Sequence, residues 1–357
     1  MKNIMWDYIN EETDKLMDLL DHNQIDQFLK AYDTTTISKV IFVASGSSLN
    51  IATVAKRFYE DVAQIEIRTY TPFEFLGHSK IVESFDRAAT LVVAISQTGT
   101  SSGTVQSIER AKELGFTVLS MTERKETQVE QLGDYYFNFL SGLESCNAKT
   151  KGVSNSLTLL IVLAISVGKE KGLISEELFK AYIDEITASI NDITATIKAT
   201  KKWTENHQDW STINQFLVVG HGTNYGSAVE GALKILETLC VPGSVCEIGE
   251  FSHGVHRTMT NASNVMLIQT EEYGQEVMEK TIDFLSGTVG RLLVVNATSE
   301  PVQDERYINV AYRPLTASCL NITVAFQVLA TALPEINGDD PNRPMNNDLT
   351  KIVNTRV

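Results

Sequence analysis

Two groups of residues in this 357-residue chain have types and spacings that could do chemistry. The first is Ser96-Gln97-Thr98-Gly99-Thr100-Ser101-Ser102-Gly103, in which five residues carry hydroxyls, two are glycines and none is charged. It follows the unbroken apolar run 91–95, the pattern of a parallel strand covered on both faces. A helical pattern starts at Thr104, with Val105, Ile108, Ala111, Lys112 and Leu114 spaced for one packed face. A loop that leads from such a strand into a helix N-terminus turns free N–H groups and the positive end of the macrodipole toward an anion. The hydroxyls add donors that need no counter-charge. An ordinary helix cap uses one Ser or Thr; five hydroxyls read as a cradle for a sugar phosphate.

The second group is Glu230, Lys234 and Glu237, which share a helical face at 100° per residue. A glycine-punctuated stretch with Glu247, Glu250, His253 and His256 follows, read here as a loop. Glu230 with Lys234 is by itself a routine helix ion pair worth about 0.3–0.5 kcal/mol. An acid, an amine and an imidazole so close in sequence could equally converge on one substrate.

Other chemistries fit poorly. Gly220, Gly222 and Gly226 are spaced one residue too long for a dinucleotide fingerprint, and the next strand end, Gln269, offers no ribose-binding carboxylate. No zincin, nucleophile-elbow or Walker pattern is present, and His207, His221 and His253 have no metal-ligand spacing around them. A formal charge of −15 argues against nucleic acid and anionic membranes as partners. The four cysteines, Cys146, Cys240, Cys246 and Cys319, lie far apart and predict free thiols of a reducing compartment. The first residues carry no signal-like apolar region, and the apolar run 157–167 is about half a bilayer span, so a cytoplasmic protein is expected.

The elements that must position these residues recur twice. The strand and turn 40–48 reappear at 216–224, each leading into a helix, and the strands 91–95, 117–121 and 135–140 correspond to 265–269, 292–296 and 308–314. The apolar helix 157–167 corresponds to 319–329. Strands alternating with helices imply parallel sheets. The expected fold is therefore α/β: two tandem, flavodoxin-like, three-layer sandwiches. The expected divisions are a helical segment 1–34, a phosphate-binding domain 35–172, a connecting helix 173–210, a second domain 211–338 and a tail 339–357 over the active site. Residues 175–202 read as one long helix, with Ile183, Ile186, Ile190, Ile193 and Ile197 as an apolar seam for another helix of this chain or a neighbour. Where the first half has its hydroxyl loop, the second has Gln269-Thr270-Glu271-Glu272-Tyr273-Gly274, whose two carboxylates would repel a phosphate. One anion site per chain is expected.

Together these motifs resemble a known family. The loops Ser45-Gly46-Ser47-Ser48 and Ser96-Gln97-Thr98-Gly99-Thr100-Ser101, the segment from Gly142-Leu143-Glu144 to Thr150-Lys151, and Glu230-Gly231-Ala232-Leu233-Lys234 before Glu250-x-x-His253-Gly254 are similar to the double sugar-isomerase (SIS) domain proteins. These include the isomerase half of glucosamine-6-phosphate synthase, the fructosamine- and glucoselysine-6-phosphate deglycases, and amino-sugar-phosphate deaminases and isomerases. The resemblance covers the chain from about residue 35. It implies that Ser48, Ser96, Gln97, Thr98 and Ser101 bind the substrate phosphate, with Ser45, Gly46 and Ser47 in the same cradle. It implies that Glu237 moves a proton between C1 and C2, that His253 assists ring opening, and that Lys234 stands beside them. Thr150, Lys151 and Lys351 would line the sugar pocket. The histidine reaches the family's site from a neighbouring subunit, so a homodimer is implied. No cofactor or metal is, because the substrate's carbonyl or Schiff base serves as the electron sink.

The departures matter too. Lys2 stands where the synthase has its nucleophilic cysteine, so glutamine-dependent amination is not expected. Asn147 and Lys149 replace small residues, which points to a pocket altered near the amine, and the tail is longer than the synthase's. A deglycase acting on a fructosamine-6-phosphate-type substrate is the preferred expectation. An amino-sugar-phosphate isomerase or deaminase, or a non-catalytic sugar-phosphate sensor, is the alternative.

Overall fold

A computed structural model describes residues 3–77, 79–353, 355 and 356, excepting the side chains of Ser79 and Lys351. The chain forms two compact units. The first lobe comprises Asp14–Glu144, Asn155–Ile183 and Pro344–Val357; the second comprises Met1–Thr13, Ser145–Ser154 and Asp184–Arg343.

The first lobe is built on strands β1 (Lys39–Val43), β2 (Glu66–Tyr70), β3 (Thr90–Ile95), β4 (Thr117–Thr122) and β5 (Tyr135–Asn138), all parallel, in the order β2-β1-β3-β4-β5. The second lobe repeats the plan with β6 (Phe216–Gly220), β7 (Gly243–Glu247), β8 (Asn264–Thr270), β9 (Arg291–Ala297) and β10 (Tyr307–Asn309), in the order β7-β6-β8-β9-β10. The expected duplication is thus present as one topology used twice. The edge strands β2 and β7 escape a hydropathy reading because exposed and buried residues mix along them.

Burial explains why the central strands are apolar throughout. In the second lobe Val218, Met266, Ile268, Leu293 and Val295 join a core with the helices Asn224–Leu239 and Cys319–Ile336. Their neighbours in sequence, Leu217, Val219, Val265, Leu267, Leu292 and Val294, face a second core with the helix Gln275–Ser286. Alternate side chains leave opposite faces of a strand, so a sheet covered on both sides requires both sets to be apolar. In the first lobe Ile41, Val43, Val92, Ala94 and Val118 pack with Val105, Ile108 and Ala111 of the helix Ser102–Glu113. Lys112 leaves that face and pairs with Asp134 instead.

The stretch expected as one helix is two, Glu176–Asn191 and Ile193–Asn206. They divide at Asp192, whose carboxylate is held by Arg313 at 2.7 Å. Ile186, Ile190, Ile193 and Ile197 of the seam are buried. The partner is within the chain: Ile193–Asn206 packs on Cys319–Ile336. Asn321 pins this contact, donating to the Ser189 carbonyl (2.8 Å) and hydroxyl (3.0 Å) and accepting from the Thr196 hydroxyl at 2.6 Å. Two further helices, Lys151–Glu170 and Cys319–Ile336, have the length and composition to cross a membrane, but 94% and 89% of their apolar windows are buried in the protein. All four cysteines are free.

Because Asn321 is fully buried, Asn321→Ala leaves Ser189 and Thr196 without their partner, and a loss of about 2 kcal/mol is expected in urea unfolding. Asn321→Asp keeps the acceptor for Thr196 but sets a buried carboxylate oxygen against the Ser189 carbonyl, so it should destabilise at least as much as Asn321→Ala.

Candidate active site

In the first lobe the strand order reverses between β1 and β3, which lie side by side with Val43 opposite Ala94. In open parallel sheets the crevice outside such a switch point is where ligands bind. Both predicted cradle loops leave the sheet there. After β1, Ser45 and Gly46 are exposed, and Ser47 and Ser48 form the first turn of the helix Ser47–Arg57, with Gly46 as its N-cap. After β3, Ser96 is buried and Gln97, Thr98 and Ser101 are half-buried before the helix Ser102–Glu113. The structure therefore brings the eight predicted cradle residues to one sheet edge.

Local bonds shape the β3 loop. Gly99 has a φ of +67°, and a Cβ there would lie 2.3 Å from Thr127 Oγ1. Only glycine meets both demands. Thr100 donates to the Thr98 hydroxyl at 3.1 Å, Thr104 donates to the Ser101 hydroxyl at 3.0 Å, and Gln97 Nε2 donates to Glu144 at 2.9 Å. Glu123 anchors the following turn by accepting from the Ser141 and Gly142 backbone N–H groups at 3.0 and 2.8 Å. The chain's own tail also reaches this loop: the Ser102 N–H donates to the Thr355 carbonyl at 3.1 Å, and Arg356 makes an antiparallel bridge with Ser101. The motif reading pointed to Glu144; Glu123, Thr355 and Arg356 carried no signal in the sequence. Lys351 lies in the short helix Asp348–Ile352, and its side chain is outside the described residues.

In the second lobe Glu230, Lys234 and Glu237 do share a face of the helix Asn224–Leu239. Glu230 and Lys234 are buried, whereas the Glu237 side chain is 33% exposed. The Lys234 amine donates to Glu237 at 2.9 Å and stands 3.6 Å from Glu230. Burial alone would lower the amine's pKa, but the carboxylates of Glu230 and Glu237 and the hydrogen bond to Glu237 outweigh it and hold the amine above its ordinary range. Lys234 is thus a fixed cation. It orients the one carboxylate of the pair that still faces outward.

His253 belongs to the same lobe and is exposed, in the turn after the short helix Ile248–Phe251. The stretch expected as a loop thus contains a strand end at Glu247, which caps this helix by accepting from the Gly249 and Glu250 N–H groups. Thr150 and Lys151 are grouped with this lobe as well. Thr150 is buried and its carbonyl accepts from Gln327; the Lys151 amine is buried on Glu11 at 2.6 Å and over the Tyr8 ring. Asn147 bonds Asn342, and Lys149 donates to the Cys146 carbonyl. Among the described residues no group of three or more His, Cys, Asp or Glu is arranged to hold a metal.

Comparison with known proteins agrees with this architecture. Residues 36–166 match the model of the SIS domain family. The first half of the chain thus carries a SIS domain. A solved structure of a candidate phosphosugar isomerase from Clostridium difficile 630 superposes with a TM-score of 0.89 at 26% identity, covering 99% of this chain and 98% of that one. The C-terminal domain of the glucosamine-fructose-6-phosphate aminotransferase of Francisella tularensis shares the fold, with a TM-score of 0.84 at 17% identity over 96% of this chain and 99% of that one. Among sequences, the glutamine–fructose-6-phosphate aminotransferase (isomerizing) of Thermococcus kodakarensis is 26% identical over 88% of this chain and 52% of its own length. The chain spans about half the length of the curated relatives it matches.

Lys234→Met removes the cation beside the buried Glu230 carboxylate, so a loss of about 3 kcal/mol is expected in urea unfolding. The raised amine fixes the pH window. Its contribution is complete below the ordinary lysine value of 10.5 and is lost only as the pH rises through the higher folded-state value. The stability difference between wild type and Lys234→Met should therefore stay constant from neutral pH to 10.5; a difference that shrinks within that range contradicts the assignment.

Proposed function

We propose that this protein is a phosphosugar isomerase-type enzyme that acts as a deglycase on an aminated or glycated hexose 6-phosphate. One observation carries the reading: a half-exposed carboxylate, Glu237, is held by a buried amine in a chain whose other lobe sets hydroxyl-lined loops at a switch point. The phosphate binds the loops 45–48 and 96–101 by hydroxyls and helix N–H groups. That remote binding energy holds the open-chain sugar for reaction.

In the open-chain ketoamine, Glu237 takes a proton from C1 and returns it to C2. The C2 carbonyl oxygen gains a proton to become a hydroxyl as the nitrogen gives up its own and the C1–N bond becomes an imine. Water then adds to the imine, releasing a free amine and an aldose 6-phosphate. Lys234 holds Glu237 oriented for the first step, and His253 serves the ring-opening proton transfer. Asn147 and Lys149, absent from the synthase pattern, support a pocket adapted to a substituted amine.

The direct test follows sugar phosphates by NMR in heavy water. Wild type should exchange the C1 proton of fructosamine 6-phosphates and release amine, and Glu237→Gln should slow exchange by roughly 10²–10⁴-fold. Exchange without amine release would favour a plain isomerase or deaminase. Binding with no exchange would mark a non-catalytic sensor.

The exposed His253 also supports a homodimer in which it completes the neighbour's site. Co-expressed His253→Ala and Glu237→Gln chains, each inactive alone, should then recover about a quarter of wild-type activity through mixed dimers. No recovery would place His253 in its own chain's site.

A further inference from the structure

The second lobe carries a carboxylate of its own at the place that corresponds to the cradle. Because the two sheets share one strand order, the turn after β6 corresponds to the turn after β1, and the loop after β8 to the loop after β3. The β8 loop returns Glu272 onto the β6 turn. Its Oε1 accepts from the Thr223 backbone N–H at 3.3 Å and hydroxyl at 2.8 Å. Its Oε2 accepts from Asn224 Nδ2 at 3.1 Å and from the Thr270 hydroxyl at 3.2 Å. Thr223, Asn224 and Thr270 are all buried. Gly222 lies so near that a Cβ would come within 3.0 Å of Oε1. The other acid of this loop, Glu271, is turned elsewhere and accepts from the Ser299 N–H at 2.6 Å.

Thr223 and Asn224 begin the helix Asn224–Leu239, which carries Lys234 and Glu237 further along. A negative charge at this end complements the helix dipole and satisfies N-terminal donors, as a bound anion would. Asn224 Nδ2 also donates to the Ala317 carbonyl at 3.0 Å, which ties the same corner to the segment entering the helix Cys319–Ile336. We propose that Glu272 is a tethered anion. It fills, in the second half, the position the substrate phosphate takes in the first, and it is a positioning residue for the helix that presents Lys234 and Glu237. The comparison with the first half rests on the cradle reading above.

The test titrates inorganic phosphate calorimetrically into the full chain. The triple variant Ser96→Ala, Thr98→Ala, Ser101→Ala should bind none, whereas adding Glu272→Ala to it should create one phosphate site per chain. In Glu272→Ala alone, kcat for proton exchange should fall about tenfold at unchanged KM, formate should restore it, and Glu272→Asp should retain most of it. Formate should leave wild type unaffected. A folded Glu272→Ala chain that gains no phosphate site, or whose kcat ignores formate, overturns the proposal. If Glu272→Ala fails to fold, Glu272→Gln keeps the shape without the charge, and an unchanged kcat in that variant overturns it equally. Phosphate binding that survives in the triple variant sinks the cradle reading alone, because the extra site from Glu272→Ala is still read above it.

Discussion

Every strand-to-helix junction at the carboxyl edge of a parallel sheet leaves backbone N–H groups without intrahelical partners, all pointing the same way. Neither lobe can bury those donors unmet. The two lobes share one topology and answer the demand differently. In the second, Glu272 closes the junction with four hydrogen bonds from buried or backbone donors. In the first, the equivalent loops offer hydroxyls and no internal charge, and the Thr355 carbonyl of the tail accepts from the Ser102 N–H there. One half of a duplicated fold thereby meets these donors with its own carboxylate, and the proposed reading assigns the other half's loops to an external anion.

The second half also carries the groups proposed to react. A buried amine alone would be costly; between Glu230 and Glu237 it becomes a fixed positive centre. The asymmetry of exposure then separates the two acids. Glu230 is buried beside the amine, and Glu237 keeps one face exposed. On the proposed reading, a carboxylate so oriented suits proton transfer between adjacent carbons of a sugar phosphate.

Much of this was legible in the residues. Central strands announce themselves because both faces are covered, as in 91–95 and 216–220, and the repeated order of such runs revealed the duplication. The edge strands β2 and β7 did not, since one margin meets solvent and the apolar signal breaks up. Apolar spacing carried the seam 183–197 through Asp192, although the Asp192–Arg313 pair that marks the break joins residues remote in sequence. The hydroxyl loop was visible because composition alone distinguished it. Glu272 was read only as a charge that would repel phosphate, because hydrogen bonds to Thr223 and Asn224 are invisible until the chain folds. The burial of Lys151 against Glu11 was hidden for the same reason.

The most direct measurement is a crystal structure of the protein with a hexitol 6-phosphate, an open-chain analogue that cannot react. The phosphate should accept hydrogen bonds from the hydroxyls of the loops 45–48 and 96–101, with Glu237 of one subunit within about 3.2 Å of C1 or C2. A phosphate bound elsewhere, or a Glu237 carboxylate remote from those carbons in every subunit, would contradict it.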